Sequence, residues 1–549
     1  MTDKIHNLST WDNVAPRTYT GRVICFPFDD EARKNQSESA QALLNSLRNS
    51  LDVLVKQRPD FAGKLHLGAN LTPVEKQSVA KYKDGYVYLL TSSNYRIYLR
   101  PKYPKELKSL YGKVTARNGT EDVKAKGINF DKNFIDYDTL KRSKFPVKPF
   151  INEDLTTDLM LEEGKAPIPV VEVEVIFLNG GFFFNLLIHH TYFDGKAYHK
   201  FLEWFAACTR GQKVPQFPTS PMIKLPYEQD RSLAGKNFED ILPLCSDFQT
   251  WPNSALKGPT QPIQPYIPNS ERPKSFKNDS KIFIFNFSKL KTLSVELAQL
   301  LPDKSTAKPS AYTTLCALLW AHTLVARESF LRKTSEQSEA ALHTHFLSHP
   351  PFFSTPVDWS STKLLQTYPS SLAPFTESYF GNTVTWAITT LPPSTCLLHD
   401  IASGSKPSLA LVASSISHSI SQISPFHLFN REALFAKAPD MRMLGLPWDS
   451  RMPAEWGMNS WADFGADIHW SLPGVARSPD TSTEGKRTWT LADAQRRVQK
   501  EVGGSGGLIL PAKRARPREW ECQVSLPEGA MRALEGDEVF GRYVEGVIG

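Results

Sequence analysis

Residues 170–208 constrain the fold of this 549-residue chain more than any other stretch. Val170–Leu178 alternates valine with glutamate and then turns apolar, Asn179-Gly180-Gly181 makes a turn, and Phe182–Ile188 runs back as a buried strand. Two histidines follow, His189 and His190, and then Thr191-Tyr192-Phe193-Asp194-Gly195. Beyond Gly195, Phe201, Trp204, Phe205 and Cys208 recur at i, i+3, i+4 and i+7, the apolar stripe of a helix facing a core. A strand therefore delivers histidine to a loop, and a helix starts just after an aspartate.

The rest of the chain is organised around that unit. A chain this long exceeds one compact core, so two domains are expected. Residues 39–57 place Leu43, Leu44, Leu47, Leu51 and Leu54 at helical spacing, ending before Arg58-Pro59. Tyr86–Leu90 and Tyr95–Leu99 read as a hairpin around Ser92-Ser93-Asn94. Six prolines between Trp251 and Lys274 block helix and central strand alike, which predicts an extended connection. The division expected is 1–250, a crossover at 251–280, and 281–549. The second half opens with a strand at Ile282–Phe287 and helices at Leu290–Leu301 and Ala311–Arg327. A polar, His-bearing loop follows at 333–350. Strands are predicted at Thr383–Thr389, Leu508–Leu510 and Trp520–Ser525, and a helix at Leu491–Val502. Mixed strands and helices without a regular βαβ alternation give an α/β class built on mixed sheets.

Charge and thiols exclude several functions. The net charge of +7 is modest for this length. Residues 100–149 hold 13 basic and 6 acidic side chains, with Tyr103, Tyr111 and Tyr137 among them. The reading is a solvated basic face, with anion binding as the lesser alternative and no nucleic-acid partner. Six scattered cysteines show no metal-type spacing, and no metal site is expected. With no apolar run long enough to span a bilayer and no basic-then-apolar start, a cytoplasmic setting without a membrane partner is expected.

The chemistry converges on the HxxxDG element. An imidazole with a pKa near 6.5 is largely neutral at pH 7 and can take the proton of an attacking alcohol. His190 is the candidate base. His189, its strand neighbour, faces the opposite side and is assigned to structure. Gly195 is expected to permit a backbone reversal that brings Asp194 beneath the histidine loop. Gly503-Gly504-Ser505-Gly506-Gly507 also spells GxSxG, but a nucleophile elbow joins a strand to a following helix. Here a helix is expected before it and a strand after, so it reads as a turn.

With these residues in view, the sequence resembles the BAHD acyl-CoA-dependent acyltransferases, specifically their fungal secondary-metabolism branch. His190, Asp194 and Gly195 correspond to the family's H-x-x-x-D-G. Arg58-Pro59-Asp60-Phe61-Ala62-Gly63-Lys64-Leu65, Asp230-Arg231-Ser232, Pro356-Val357-Asp358 and Tyr379-Phe380-Gly381-Asn382 resemble further family stretches, as does the LILP run near the C-terminus. Asp467 and Trp470 are placed on the family's DFGWG motif in preference to Asp463-Phe464-Gly465. The arginine that relatives carry two residues after Asp358 is Ser360, which leaves the partner of Asp194 unassigned.

The resemblance implies a two-domain, chloramphenicol acetyltransferase-like fold with a tunnel between the halves. It implies transfer of an acyl group, by family habit acetyl, from acyl-CoA to a hydroxyl of a small metabolite. His190 and Asp194 would be the catalytic pair. Gly195, Tyr379, Gly381, Asn382, Asp467 and Trp470 would support them. Acyl-CoA would be a co-substrate rather than a resident cofactor, its contacts are not assigned, and the protein would be a monomer. Two alternatives stay open: a condensation-domain-like enzyme working on carrier-bound acyl groups, and a catalytically lapsed homologue that only binds a metabolite.

Overall fold

The computed structural model describes residues 4–79, 82–83, 85–112, 114–118, 121–124, 126–214, 230–250, 276–303, 307–334, 350–361, 379–392, 396–446, 454–476, 489–514 and 518–549. Two mixed sheets dominate. The first runs, in spatial order, Ala494–Val498, Tyr19–Pro27, Gly181–His189, Val171–Leu178, Leu99–Pro104 and Lys126–Ile128. The second runs Val384–Thr390, Phe352–Asp358, Glu455–Ser460, Gly506–Ile509, Glu519–Pro527, Asn278–Asn286 and Gly546–Ile548.

The hairpin read from the sequence is the centre of the first sheet, with Val171 opposite Ile188 and Leu178 opposite Gly181. One face of that sheet buries Phe26, Phe184 and Ile188 against two helices, Gln36–Gln57 and Gly195–Thr209. These helices supply the leucines and aromatics their periodicity predicted. The opposite face packs Val23, Cys25 and Phe183 on Tyr137, Leu140 and Phe150. The second sheet is covered by the helix Ala311–Thr334, apolar on nearly all sides and flanked by Phe287–Gln299, Lys406–Ser421 and Glu528–Glu535. The two-domain mixed α/β fold that the resemblance implied is the one observed. Among the described residues, no helix is long and apolar enough to cross a membrane.

Three expectations are corrected. Tyr86–Leu90 and Tyr95–Leu99 do not form a hairpin. Val87–Thr91 pairs with Lys4–Asn7 and Lys64–Leu67 in a separate four-stranded sheet, whereas Leu99–Pro104 runs parallel to Val171–Leu178. Residues 95–98 lack the burial that would fix them as a strand; Tyr98 is 49% exposed. The predicted helix Leu491–Val502 is instead the strand Ala494–Val498, antiparallel to Tyr19–Pro27. Ala, Gln and Arg favour helix locally, but pairing with an open sheet edge overrides propensity. Thus a segment of the second half completes the first sheet. Finally, Tyr103, Tyr111 and Tyr137 are buried in cores, which removes them from any anion-binding face.

Ser505 lies in a turn between the strands Ala494–Val498 and Gly506–Ile509, and no helix follows it, so the elbow reading fails structurally as well. The proline-rich stretch 251–275 and most of the His-bearing segment, 335–349, lie outside the described residues.

Candidate active site

His190 follows directly on the last residue of the central strand Gly181–His189. Its backbone N–H donates to the carbonyl of Thr18 at 2.8 Å, so the chain is still held like a strand as it leaves the sheet. The side chain opens into a cavity of about 270 Å³. Trp11, Thr20, Arg22, Phe193, Asp194 and Tyr198 wall it on one side; Asp358, Asn382, Trp386, Asn459, Trp461 and Phe464 wall it on the other. Both halves of the chain therefore enclose the histidine. His189 points away, fully buried edge-on to Tyr19, as its strand alternation predicted.

The His190 pKa is lowered chiefly by burial, which favours the neutral ring. Contact with its own backbone, the charge of Asp194 and Asn382 oppose that shift, while Arg497 adds to it. Nδ1 is buried without a well-formed hydrogen bond.

Asp194 caps the helix Gly195–Thr209. Its Oδ1 accepts from the backbone N–H of Ala197 at 2.8 Å, and its Oδ2 accepts from the backbone N–H and hydroxyl of Thr383 at 2.9 and 3.0 Å. Both oxygens are thus occupied by donors from the two halves. This identifies the partner that Ser360 left open: Thr383 stands in for a guanidinium. Burial and the nearby charge of Asp358 push the Asp194 carboxyl up, and these hydrogen bonds counter them. Asp358 accepts from the backbone N–H and hydroxyl of Ser360 at 2.9 and 2.6 Å, and Lys196 Nζ lies 2.6 Å from that hydroxyl and 3.7 Å from Asp358. Cationic compensation comes from the first turn of the helix rather than from residue 360.

Gly195 owes its identity to close packing. A Cβ there would meet Phe464 Cε2 at 2.7 Å. Its φ is not in the left-handed region, so the backbone-reversal role expected for it is replaced by steric fit.

The Tyr379–Asn382 stretch clamps the histidine loop. The side-chain amide of Asn382 donates to the carbonyls of His190 and Thr191, both at 3.0 Å, and to Asp12 at 3.0 Å. Its backbone N–H also donates to Asp12, at 2.7 Å, and the Tyr379 hydroxyl lies 3.2 Å from the same carboxylate. At Gly381 a Cβ would sit 2.5 Å from the Tyr379 hydroxyl, so only glycine allows the clamp to close. Asp12 itself belongs to the capping box of the short helix Thr10–Val14. From below, Arg58 holds Asp60, which accepts from the Tyr192 hydroxyl at 2.7 Å. The Arg58–Leu65 segment thus supports the loop as well.

Of the sequence-predicted residues, His190, Asp194, Gly195 and Asn382 line the cavity; Tyr379 and Gly381 brace it from behind. Asp467 and Trp470 do not reach it. Asp467 is exposed and accepts from the backbone N–H of Arg514, while Trp470 packs in the first core against Phe26, Phe184 and Phe205. Phe464, from the alternative register, is the residue at the cavity. Sequence reasoning missed Asp12, Thr383, Lys196, Arg22 and Trp461.

A family model places part of this architecture. Residues 137–342 match the Transferase family. That segment holds the hairpin, the histidine loop and the helix capped by Asp194. No curated protein is similar enough in sequence to match. Solved structures match this chain end to end. F. graminearum TRI101 complexed with coenzyme A and deoxynivalenol is 15% identical, with 100% of both chains covered and a TM-score of 0.65. F. sporotrichioides TRI101 complexed with coenzyme A and T-2 is 16% identical, again over 100% of both chains, with a TM-score of 0.59. At these identities the likeness shows the fold, and the resemblance drawn from the sequence is upheld at that level.

Proposed function

We propose that this protein transfers an acyl group from acyl-CoA to a hydroxyl of a small molecule, with His190 as the general base. The observation that carries the reading is the placement of His190: a ring held neutral by burial, facing a cavity walled by both halves, its loop fixed by Asp194 and Asn382. With Nδ1 in the protein interior, Nε2 is the nitrogen left to the cavity. It accepts the proton of the acceptor hydroxyl as that oxygen bonds to the thioester carbonyl carbon. The tetrahedral adduct collapses, the C–S bond breaks, and the departing thiolate takes the proton back from the imidazolium. Thiols, with a pKa near 8.5, leave more readily than alkoxides. Asp194, saturated by Ala197 and Thr383, orients the loop and relays no proton.

Two crystal structures of TRI101 are complexes with coenzyme A and a second small molecule, deoxynivalenol or T-2, which supports a two-substrate reading for a chain of the same fold. Acetyl is the donor group proposed. The test is incubation with acetyl-CoA and a panel of hydroxylated small molecules, reading free thiol. Release above a His190→Ala control supports transfer; none for any acceptor favours a protein that only binds.

A further inference from the structure

In the cavity beside His190 lies a buried cation, Arg22, that no carboxylate among the described residues balances. Arg22 and Arg497 stand directly opposite one another in the antiparallel pairing of Tyr19–Pro27 with Ala494–Val498. Opposite residues leave a sheet on the same face, where like charges destabilise the pair. That face carries Thr20 as well, and both Thr20 and Arg22 line the cavity. Arg22 is 1% exposed, and its guanidinium lies 4.4 Å from the ring centre of Tyr198 and 4.5 Å from that of Trp461. Nη1 donates to the Phe464 carbonyl at 2.9 Å and, more weakly, to Gln495 at 3.4 Å; Nε is buried with no partner.

The surroundings do not neutralise this charge. Burial lowers the pKa of Arg22 to about 10, and the group acting against that shift is Tyr198, a phenol that stays neutral at pH 7. Asp194 and Asp358 share the cavity but are spent on Thr383, Ser360 and Lys196. Arg497, whose side chain is exposed and does not line the cavity, meets the carboxamide oxygen of Gln499 at 3.1 and 3.3 Å, and its charge is felt at His190. A buried guanidinium is costly unless paired. Its plane, fixed between two aromatic rings, suits the planar fork of a carboxylate better than a freely rotating ammonium would.

We propose that Arg22 anchors a carboxylate-binding subsite, so that one of the two substrates presents a free carboxylate in the cavity. The inference rests on the acyl-transfer reading and narrows its substrate class. The carboxylate has two sources: the far end of a dicarboxylic acyl group on the donor, or a hydroxy-acid acceptor.

Titration calorimetry on the full chain separates them. Malonyl-CoA is compared with acetyl-CoA, and 3-hydroxybenzoate with 3-hydroxybenzyl alcohol. One of the two carboxylates should bind about tenfold or more tighter than its neutral counterpart. Arg22→Gln should bring that ratio close to one, and Arg22→Lys, which keeps the charge without the planar fork, should reduce it; the second variant serves if the first fails to fold. Equal binding within both pairs in the wild type overturns the proposal. So does an Arg22→Gln variant that weakens coenzyme A itself as much as malonyl-CoA, because the subsite would then be holding phosphate. Thiol release with the same probes reports separately: a carboxylate preference without any release would sink the transfer reading and leave the subsite standing.

Discussion

Replacing Asp12 with asparagine removes one charge from beneath the histidine loop with almost no change of shape. Asp12 is buried and accepts from Ser9, Asn382 and Tyr379, yet burial outweighs those hydrogen bonds and raises its pKa from 3.8 to about 6. The folded state therefore holds this proton more tightly than the unfolded chain does. The resulting stabilisation is fully present below pH 3.8 and is lost as pH rises through about 6. At about 1.4 kcal/mol per pH unit, the interval is worth about 3 kcal/mol. Asparagine cannot titrate. Its amide leaves a fixed penalty by facing the Ser9 and Asn382 donors, but that penalty does not vary with pH. Equilibrium urea unfolding of Asp12→Asn and wild type at pH 4, 5, 6 and 7 isolates the effect, since all other titrations are common to both. The stability difference should move by about 2.4 kcal/mol in favour of the variant between pH 4 and pH 7, most of that interval. A difference constant to within 1 kcal/mol would refute the idea that this clamp is an ionised, desolvated carboxylate.

Other perturbations follow from the same geometry. His190→Ala should lower transfer by about 10²–10⁴-fold with an unchanged melting temperature, checked by thiol release and calorimetry. Because burial lowers the His190 pKa, wild-type kcat/KM should rise with pH through an inflection below 6.5 and stay level above it, read from a pH–rate profile. Gly195→Ala should cost about 1–3 kcal/mol through its clash with Phe464, with partial recovery in a Gly195→Ala, Phe464→Leu double variant measured by denaturation. Trp470→Ala should cost about 3–5 kcal/mol by emptying the site between Phe26, Phe184 and Phe205, with loss of activity only in proportion to unfolding.

What was legible in the sequence is what is local. The hairpin, the emergence of His190 and the amphipathic helix after Asp194 each depend on neighbours within about ten residues, and their periodicity carries them. The links that make the loop a site are not local. Thr383 is 189 residues from Asp194, and Asn382 is 370 from Asp12. No periodicity encodes such pairs; the resemblance flagged Asn382 but was silent on what it holds. Ala494–Val498 failed for the related reason that a short segment rich in Ala, Gln and Arg becomes a strand only when a distant edge accepts it. Asp467 and Trp470 lie away from the cavity, while Phe464, a few residues earlier, is the ring that fits against Gly195 there.

The same long-range links explain why a histidine loop belonging to one sheet needs a second half at all. Within its own half, Asp194 has one oxygen capped by Ala197; the other is bare until Thr383 arrives. The carbonyls of His190 and Thr191 likewise meet Asn382 only from across the cavity. The N-terminal helix is drawn the same way, with Thr10 and Trp11 both donating to Glu432. Were the halves to separate, the buried carboxylate would lose two donors and the loop two tethers, a cost of several kcal/mol in desolvated polar groups. His190 is therefore aligned only while the cavity is closed from both sides, so that folding of the site and closure of the cavity are one event.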